Sequence, residues 1–340
     1  MGGHALSVKT IRLLATSYHA LEAKIVAQVK AVLPHSQCAA IVAYADKYNF
    51  GDMDLLIGAT EKYNPFVVAK ALDATEIVRN GPVTSLGIQT EEGVFQVDLI
   101  AVPQVSFDFA LKYFAMNDLG NLLGRIAHKA GFKLGHLGLT YVVRDLANSD
   151  HVLDEIVVTR SWNEAIAFFG YDPVAYQAGF NGEFKNPEDL FRFAASSPYF
   201  NKDIFLLENR NAKSRVRDKK RQTYMAFLDW AATRSGLTAF DWSNKVRLRE
   251  EFLNKARVRF PEFDAAYREV MKKFETDRLF HEKFNGLLVS EWSGLQHTDL
   301  GELMRELRSL FTDKEEMKRW VLSVSQDEVK ALVLNTMVRV

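Results

Sequence analysis

The chain has almost no cysteine, no long apolar run and no excess of charge of either sign, and each absence closes off a class of protein. A single cysteine, Cys38, forbids an internal disulfide and fits a reducing compartment; its apolar neighbours make it a small core residue. No run of about 18 apolar residues occurs, so neither a membrane span nor a membrane partner is expected. Residues 1–15 carry His4, Lys9 and Arg12 but no signal-peptide apolar core, and a cytoplasmic location is expected. None of the histidines forms an i, i+4 pair, and one cysteine cannot build a structural zinc cluster. Walker A and dinucleotide glycine motifs are missing, as are repeats and low-complexity linkers. Lys plus Arg and Asp plus Glu balance at 43 each, so only local charge can point to nucleic acid.

What is present is a chain of 340 residues, long enough for a large core and two or three domains. Residues 8–33 place Ile11, Leu14, Leu21, Ile25, Val29 and Val32 at helical spacing, and Pro34 closes the segment. Residues 38–44 read as a strand, followed by a polar connection and a second strand that carries Asp52 and Asp54. Residues 65–72 form a short helix candidate, and Asn80-Gly81-Pro82 marks a turn. Strands follow at 83–89 and 94–102, joined by Glu91-Glu92-Gly93 as a hairpin turn. Residues 36–103 therefore predict a small mixed sheet with helices on one side. Helix dominates 106–131, with Asn117-Asp118 as the cap of 119–130 and Gly131 as its stop. A strand at 154–158 precedes a helix over 161–169, and beyond about residue 179 the pattern is almost wholly helical, which suggests a separate domain.

Gly51-Asp52-Met53-Asp54, answered by Val97-Asp98-Leu99, is the most informative feature. Acids at i and i+2 in an apolar strand share one face of a sheet, and Asp98 adds a third from a second strand. Three converging carboxylates repel one another and are costly to bury, so the usual reason to gather them is a divalent cation, most often Mg2+. Two such ions suit phosphoryl transfer, one activating an attacking hydroxyl and the other holding the triphosphate. A turn acid beside a solvated strand acid is the alternative.

Tyr113 and Phe114 offer aromatic faces suited to packing a ribose and flanking a base. Asn121, Gly124, Arg125 and His128 recur at i, i+3, i+4 and i+7 and share one helix face, which a solvated surface would also explain. Gly120 and Gly124 each cost about 1 kcal/mol relative to Ala inside a helix; close approach of a nucleotide or of another backbone would account for them. Residues 209–221 hold Arg210, Lys213, Arg215, Arg217, Lys219, Lys220 and Arg221 against the single acid Asp218. Such density neutralises several phosphates, and Tyr199, Phe200, Tyr224 and Phe227 beside it would stack on unpaired bases. The plainer reading is a solvated helix face with core aromatics. Trp230, Trp242, Trp292 and Trp320 read as core anchors.

Over about residues 18–173 these motifs together resemble the polymerase core of the DNA polymerase β (family X) nucleotidyltransferases. Gly51-Asp52-Met53-Asp54 matches that family's metal motif, and Val97-Asp98-Leu99-Ile100 its third-acid strand. Tyr113-Phe114-Ala115-Met116-Asn117-Asp118 resembles the Tyr-Phe-Thr-Gly-Ser-Asp stretch that sits against the incoming nucleotide. Asn121 and Arg125 fall at the spacing of the helix residues that touch the minor-groove side of the nascent base pair. Further matches are 127–132, Gly138-Leu139 ahead of Tyr141, and Thr159-Arg160-Ser161-Trp162 leading to Phe169-Gly170-Tyr171. Shorter patterns at 284–288, 293–295 and 299–304 resemble the helical region of tRNA CCA-adding and poly(A) polymerases.

The chain also departs from the family. Its usual Gly-Ser ahead of the first acids is replaced by 43–48, where Lys47 and backbone N–H groups would take the triphosphate and Asp46 would oppose it. Met116-Asn117 replaces the Gly-Ser of the sugar-facing turn, and lyase activity from an amino-terminal domain is not expected. The resemblance thus implies an α+β nucleotidyltransferase: an N-terminal helix and palm at 1–105, a nucleotide-binding subdomain at 106–178, and a helical, nucleic-acid-binding domain at 179–340. Asp52, Asp54 and Asp98 would bind two Mg2+ ions, with Mn2+ able to replace them. Lys47, Gly51, Tyr113, Phe114, Asp118, Asn121 and Arg125 would hold a nucleoside triphosphate, and the DNA or RNA 3′ end would lie along the basic stretch. An RNA or tRNA 3′-end enzyme and a binding module without turnover remain as alternatives.

Overall fold

The structure, a computed structural model, describes residues 4–59, 63–145, 148 and 150–338. It is α+β, a mixed sheet with helices, and the chain divides into two units. Unit 1 comprises the residues up to Arg144 together with Glu155–Asp264; unit 2 comprises Asp145–Asp154 and the residues from Ala265 onward.

Unit 1 opens with a two-residue strand, β1 (Leu13–Leu14), and helix α1 (Ala15–Val32). Strands β2 (Gln37–Ala40), β3 (Asn49–Phe50) and β4 (Asp52–Ala59) follow, then helix α2 (Pro65–Ala71). Asn64 caps α2 by accepting the Phe66 N–H, and Pro65 occupies its first turn, where a missing N–H costs nothing. Strands β5 (Glu76–Asn80), β6 (Val83–Thr90) and β7 (Gly93–Pro103) complete a sheet of order β2-β4-β7-β6-β5, in which only β4 and β7 run parallel. The β6–β7 hairpin turns at Glu91-Glu92.

Alternation along β4 sorts its side chains. Met53, Leu55 and Ile57 face a core that α1 fills with Tyr18, Ile25 and Val29. On the other face Leu56 packs with Val102, Phe107 and Ala110. Each Met, Leu, Ile, Val or Phe among these, fully buried, contributes roughly 1.5–3 kcal/mol. Gly58 is required here, since a Cβ would stand 2.7 Å from the Phe107 ring. The helix expected over 8–33 starts only at Ala15, because Leu13 and Leu14 pair with Phe50 and Asn49 instead.

Helices α3 (Phe107–Phe114) and α4 (Leu119–Lys129) lead into β8 (Phe132–Gly135), β9 (Gly138–Arg144) and β10 (Val152–Thr159), a second sheet of order β10-β9-β8. Helices α5 (Trp162–Phe168), α6 (Pro173–Ala178), α7 (Pro187–Ala195), α8 (Ala212–Lys219), α9 (Gln222–Thr233) and α10 (Lys245–Arg259) follow. Ser161, Asp172, Asn186, Asn211 and Asn244 cap five of them through their side chains.

The boundary expected near residue 179 falls inside unit 1. Residues 179–264 pack there because their aromatics are turned inward: Phe193 meets Tyr171 and Tyr176, and Tyr176 donates to the Lys112 carbonyl. Unit 2 holds α11 (Pro261–Lys283) beyond Asp264, then α12 (Gly286–Ser293), α13 (His297–Ser309), α14 (Lys314–Ser323) and α15 (Gln326–Met337) around Phe280, Leu303, Leu307, Val321 and Val329. Two of its glycines serve the ends of α12, Gly286 following the Asn285 cap and Gly294 taking a left-handed turn (φ 74°) after it, whereas Gly301 lies inside α13. No helix among the described residues is long and apolar enough to cross a membrane.

Candidate active site

Parallel pairing of β4 with β7 sets Asp52 beside Gln96 and Asp54 beside Asp98. The register also brings Ser85 of β6 opposite Asp98. Asp52 and Asp54 thus share one face, as the i, i+2 spacing requires, and the third acid stands on the adjacent strand about 4.8 Å away. Burial, then the charges of Asp52 and Asp98, push the Asp54 carboxyl up to about 7, while Lys47 pulls it down. Burial also raises Asp98, against hydrogen bonds from Ser85 and Gln96. Gln96, only 2% exposed, donates its Nε2 to both Asp98 oxygens, at 2.9 and 3.0 Å, and accepts the Ala5 N–H at 2.9 Å.

Around the acids, the Lys47 ammonium lies 4.5 Å from the Phe50 ring centre. Burial pushes its pKa down and the charges of Asp52 and Asp54 pull it up. Tyr18 stacks on Phe50 at 3.8 Å. Gly51, buried, leads into β4. The backbone cradle expected at 43–48 is spent otherwise: Ala45 N–H donates to the Phe184 carbonyl and Asp46 N–H to that of Lys185, each at 2.9 Å. Among the described residues no group of three or more His, Cys, Asp or Glu side chains is set to hold a metal ion. The three aspartates supply oxygen donors and surplus negative charge, the chemistry a hard cation needs, but Asp98 is turned to the Gln96 amide rather than joined to a closed cage.

The nucleotide candidates lie on α3 and α4. Tyr113 and Phe114 meet edge to face at 5.3 Å, and Phe114 stacks on His136 at 5.5 Å. Between the helices, Met116 and Asn117 both hold positive φ (58° and 57°), and the Met116 N–H reaches the Val42 carbonyl at 2.7 Å. Non-glycine residues in that region store strain of about 1 kcal/mol or more each. Asp118 stands at the start of α4 but makes no side-chain cap; it pairs with the Arg221 guanidinium instead. Burial raises its pKa and Arg221 opposes the rise. Asn121 Oδ1 lies 3.5 Å from Arg217 Nη2, and Arg125 donates to the Ile204 carbonyl at 2.8 Å. The glycines have different reasons: a Cβ on Gly120 would meet the Tyr113 carbonyl oxygen at 2.1 Å, whereas Gly124 has its nearest neighbour at 3.6 Å.

The basic stretch is split by its own fold. Arg210 is buried with Nη2 2.8 Å from Asp218, Arg217 reaches the same carboxylate at 3.1 Å, and Arg221 is taken by Asp118. Lys213, Arg215, Lys219 and Lys220 are exposed. The aromatics beside it are not free to stack on bases. Phe200, Tyr224 and Phe227 are wholly buried, because positions 224 and 227 form the inner face of α9, and Tyr199 packs edge-on against Phe240 and Phe252. Sequence reasoning missed Gln96 and Ser85, and it counted Asp218 as one acid against the basic stretch without foreseeing that it holds Arg210 and Arg217; Gln96 was within reach, since it precedes Asp98 by two and shares its face.

No protein-family model and no curated protein matches the chain. Among solved structures it is similar to polymerase β of Leishmania infantum in a ternary P/T complex, at 14% identity and a TM-score of 0.34. The match covers 39% of this chain and 59% of the polymerase.

Proposed function

We propose that this chain transfers a nucleotide from a nucleoside triphosphate to the 3′-OH of a nucleic acid, releasing pyrophosphate. The observation that carries this reading is Asp54 facing Asp98 across parallel strands beside Asp52, with burial and mutual repulsion raising Asp54 to about 7. Carboxylates are costly to gather this way unless a cation offsets them. Mg2+, or Mn2+ in its place, would supply that charge, neutralise the triphosphate and lower the pKa of the attacking hydroxyl.

The remaining roles belong to side chains. Lys47, coupled to Asp52 and Asp54, would meet the triphosphate as a point charge. Tyr113 and Phe114 would pack the sugar and base, and Asn121 and Arg125 line the cleft beside Tyr113. Positioning and charge neutralisation would supply most of the rate enhancement.

A nucleic-acid-binding module without turnover is the second reading. It is favoured by the two hydrogen bonds that turn Asp98 to Gln96 and by the Ala45 and Asp46 N–H groups already bound to carbonyls. Labelled DNA and RNA primer ends, incubated with each deoxynucleotide or ribonucleotide and Mg2+, separate the two. Extension that Asp98→Ala abolishes supports transfer, and the substrate that extends assigns the sugar. Extension that survives Asp98→Ala refutes the site, and binding without extension leaves the module.

A further inference from the structure

Within unit 1, α4, β8, residues 209–211 and α8 enclose a cleft of about 350 Å3. Arg125, Lys133, Arg210 and Arg217 line it with His128 and His136; Lys133 is already paired with Glu155 at 2.9 Å, and no acid stands among the described lining residues. Beside the equally unpartnered acceptor Asp218 Oδ2, which lies 2.8 Å from Arg210 Nη2, four buried nitrogens of the lining side chains have no hydrogen-bond partner: Asn121 Nδ2, Arg125 Nε, and Arg210 Nε and Nη1. All four nitrogens are donors. Arg125 and Arg210 are only 6% and 7% exposed, so water does not readily replace the missing acceptors. An unsatisfied buried donor costs about 1–3 kcal/mol, more when charged.

The surroundings point the same way. Asp218 pairs with both Arg210 and Arg217 but is itself fully buried and outside the lining, leaving the two guanidiniums one charge in excess. Asn211 and Ser214, at the start of α8, line the cleft, so that the positive end of the helix adds to its potential. A ligand complementary to this wall carries negative charge and many acceptors and has no need to donate.

We propose that the cleft binds a phosphate group of a nucleic-acid strand. Lys213, Arg215, Lys219 and Lys220, exposed along and just beyond α8, continue the positive surface past a single phosphate, which favours a strand over a free phosphate compound. The identity of the strand rests on the proposed function; the affinity for phosphate does not.

Ser214 provides the test. It is half-buried in the cleft wall at the third position of α8, where a glutamate reciprocates the Asn211 cap and supports the helix while placing negative charge in the cleft. Full-length wild type, Ser214→Glu and Arg217→Gln would be titrated into a short fluorescein-labelled single strand, its uncharged methylphosphonate analogue, inorganic phosphate and ATP, without Mg2+. The expected result is roughly tenfold weaker strand binding in both variants with little change in Tm, and no binding of the uncharged analogue. If phosphate and ATP weaken while the strand does not, the occupant is a soluble phosphate compound and the strand assignment is overturned. Unchanged binding of every probe in both variants overturns the site. Asp98→Ala should retain strand binding, and the transfer reading is tested separately: wild type that binds the strand without extending it, or extension that survives Asp98→Ala, overturns transfer and leaves the phosphate site standing.

Discussion

Gln96 holds Asp98 by both carboxylate oxygens while its own carbonyl is fixed by the N–H of Ala5. Next along the chain, Leu6 lies against Gly87, the residue opposite Gln96, and the N–H groups of Ser7 and Val8 donate to Glu76. Residues 5–8 therefore orient the amide that orients the acid. Gln96→Leu would leave a buried carboxylate without these donors, raise the Asp98 pKa further and destabilise the fold at neutral pH by about 1–3 kcal/mol. A protonated carboxyl has less need of donors, so the loss should shrink as pH falls through the carboxylate range. Thermal unfolding of both proteins between about pH 4 and 8 measures this; a pH-independent difference would contradict it.

Asp54 gives a pH dependence of opposite sign to that of an ordinary ion-paired acid. Its carboxyl stands at about 7 in the folded state against an ordinary value of 3.8, so between these values the folded chain holds a proton that the unfolded chain has released. Stability is then fully present below about pH 4, falls by about 1.4 kcal/mol for each pH unit climbed between the two values, and levels off above about 7. Asp54→Asn should flatten that slope and raise Tm at about pH 8. Mg2+ should raise Tm of the wild type at the same pH and have little effect on the variant. Superimposable profiles for the two proteins would remove Asp54 from the charged cluster.

The acid strands were legible because β4 combines two signals, apolar alternation and acids at i and i+2, and neither depends on distant residues. Helices α3 and α4 were legible from their 3.6-residue period. Strands β8 and β9 were not: β8 has only four residues, too few to show a period, and β9 opens at a glycine. The body to which residues 179–264 belong was also hidden, since Phe193 or Phe227 looks like an inner-face aromatic whatever core receives it. Long-range partners such as Arg221 for Asp118, separated by 103 positions, leave no local trace at all.

That pair has its own consequence. Asp118 is raised by burial, and the Arg221 charge is the largest force opposing the rise. Arg221→Gln should let the pKa climb and destabilise the fold by about 1–3 kcal/mol above the carboxylate range, discounted because Arg221 is 36% exposed. Adding Asp118→Asn should recover most of the loss. A double-mutant cycle by urea denaturation measures the coupling, and additive effects would mean that the contact contributes nothing.

Two glycines four residues apart on α4 should respond to alanine with opposite signs. At Gly120 the new Cβ would lie 2.1 Å from the Tyr113 carbonyl oxygen, and backbone cannot step aside as a flexible side chain can. Either α4 separates from the end of α3 or the Tyr113 carbonyl turns, and we expect Gly120→Ala to cost about 3 kcal/mol or more. Because Tyr113 lines the phosphate cleft, the same variant should weaken strand binding beyond what its stability loss predicts. At Gly124 the nearest atom to a Cβ is 3.6 Å away, ordinary contact, so alanine gains helix propensity without a clash. Gly124→Ala should then stabilise the protein by about 0.5–1 kcal/mol. Denaturant midpoints of the two variants decide the matter: equal shifts would show that the approach of α4 to Tyr113 is not what demands glycine at 120.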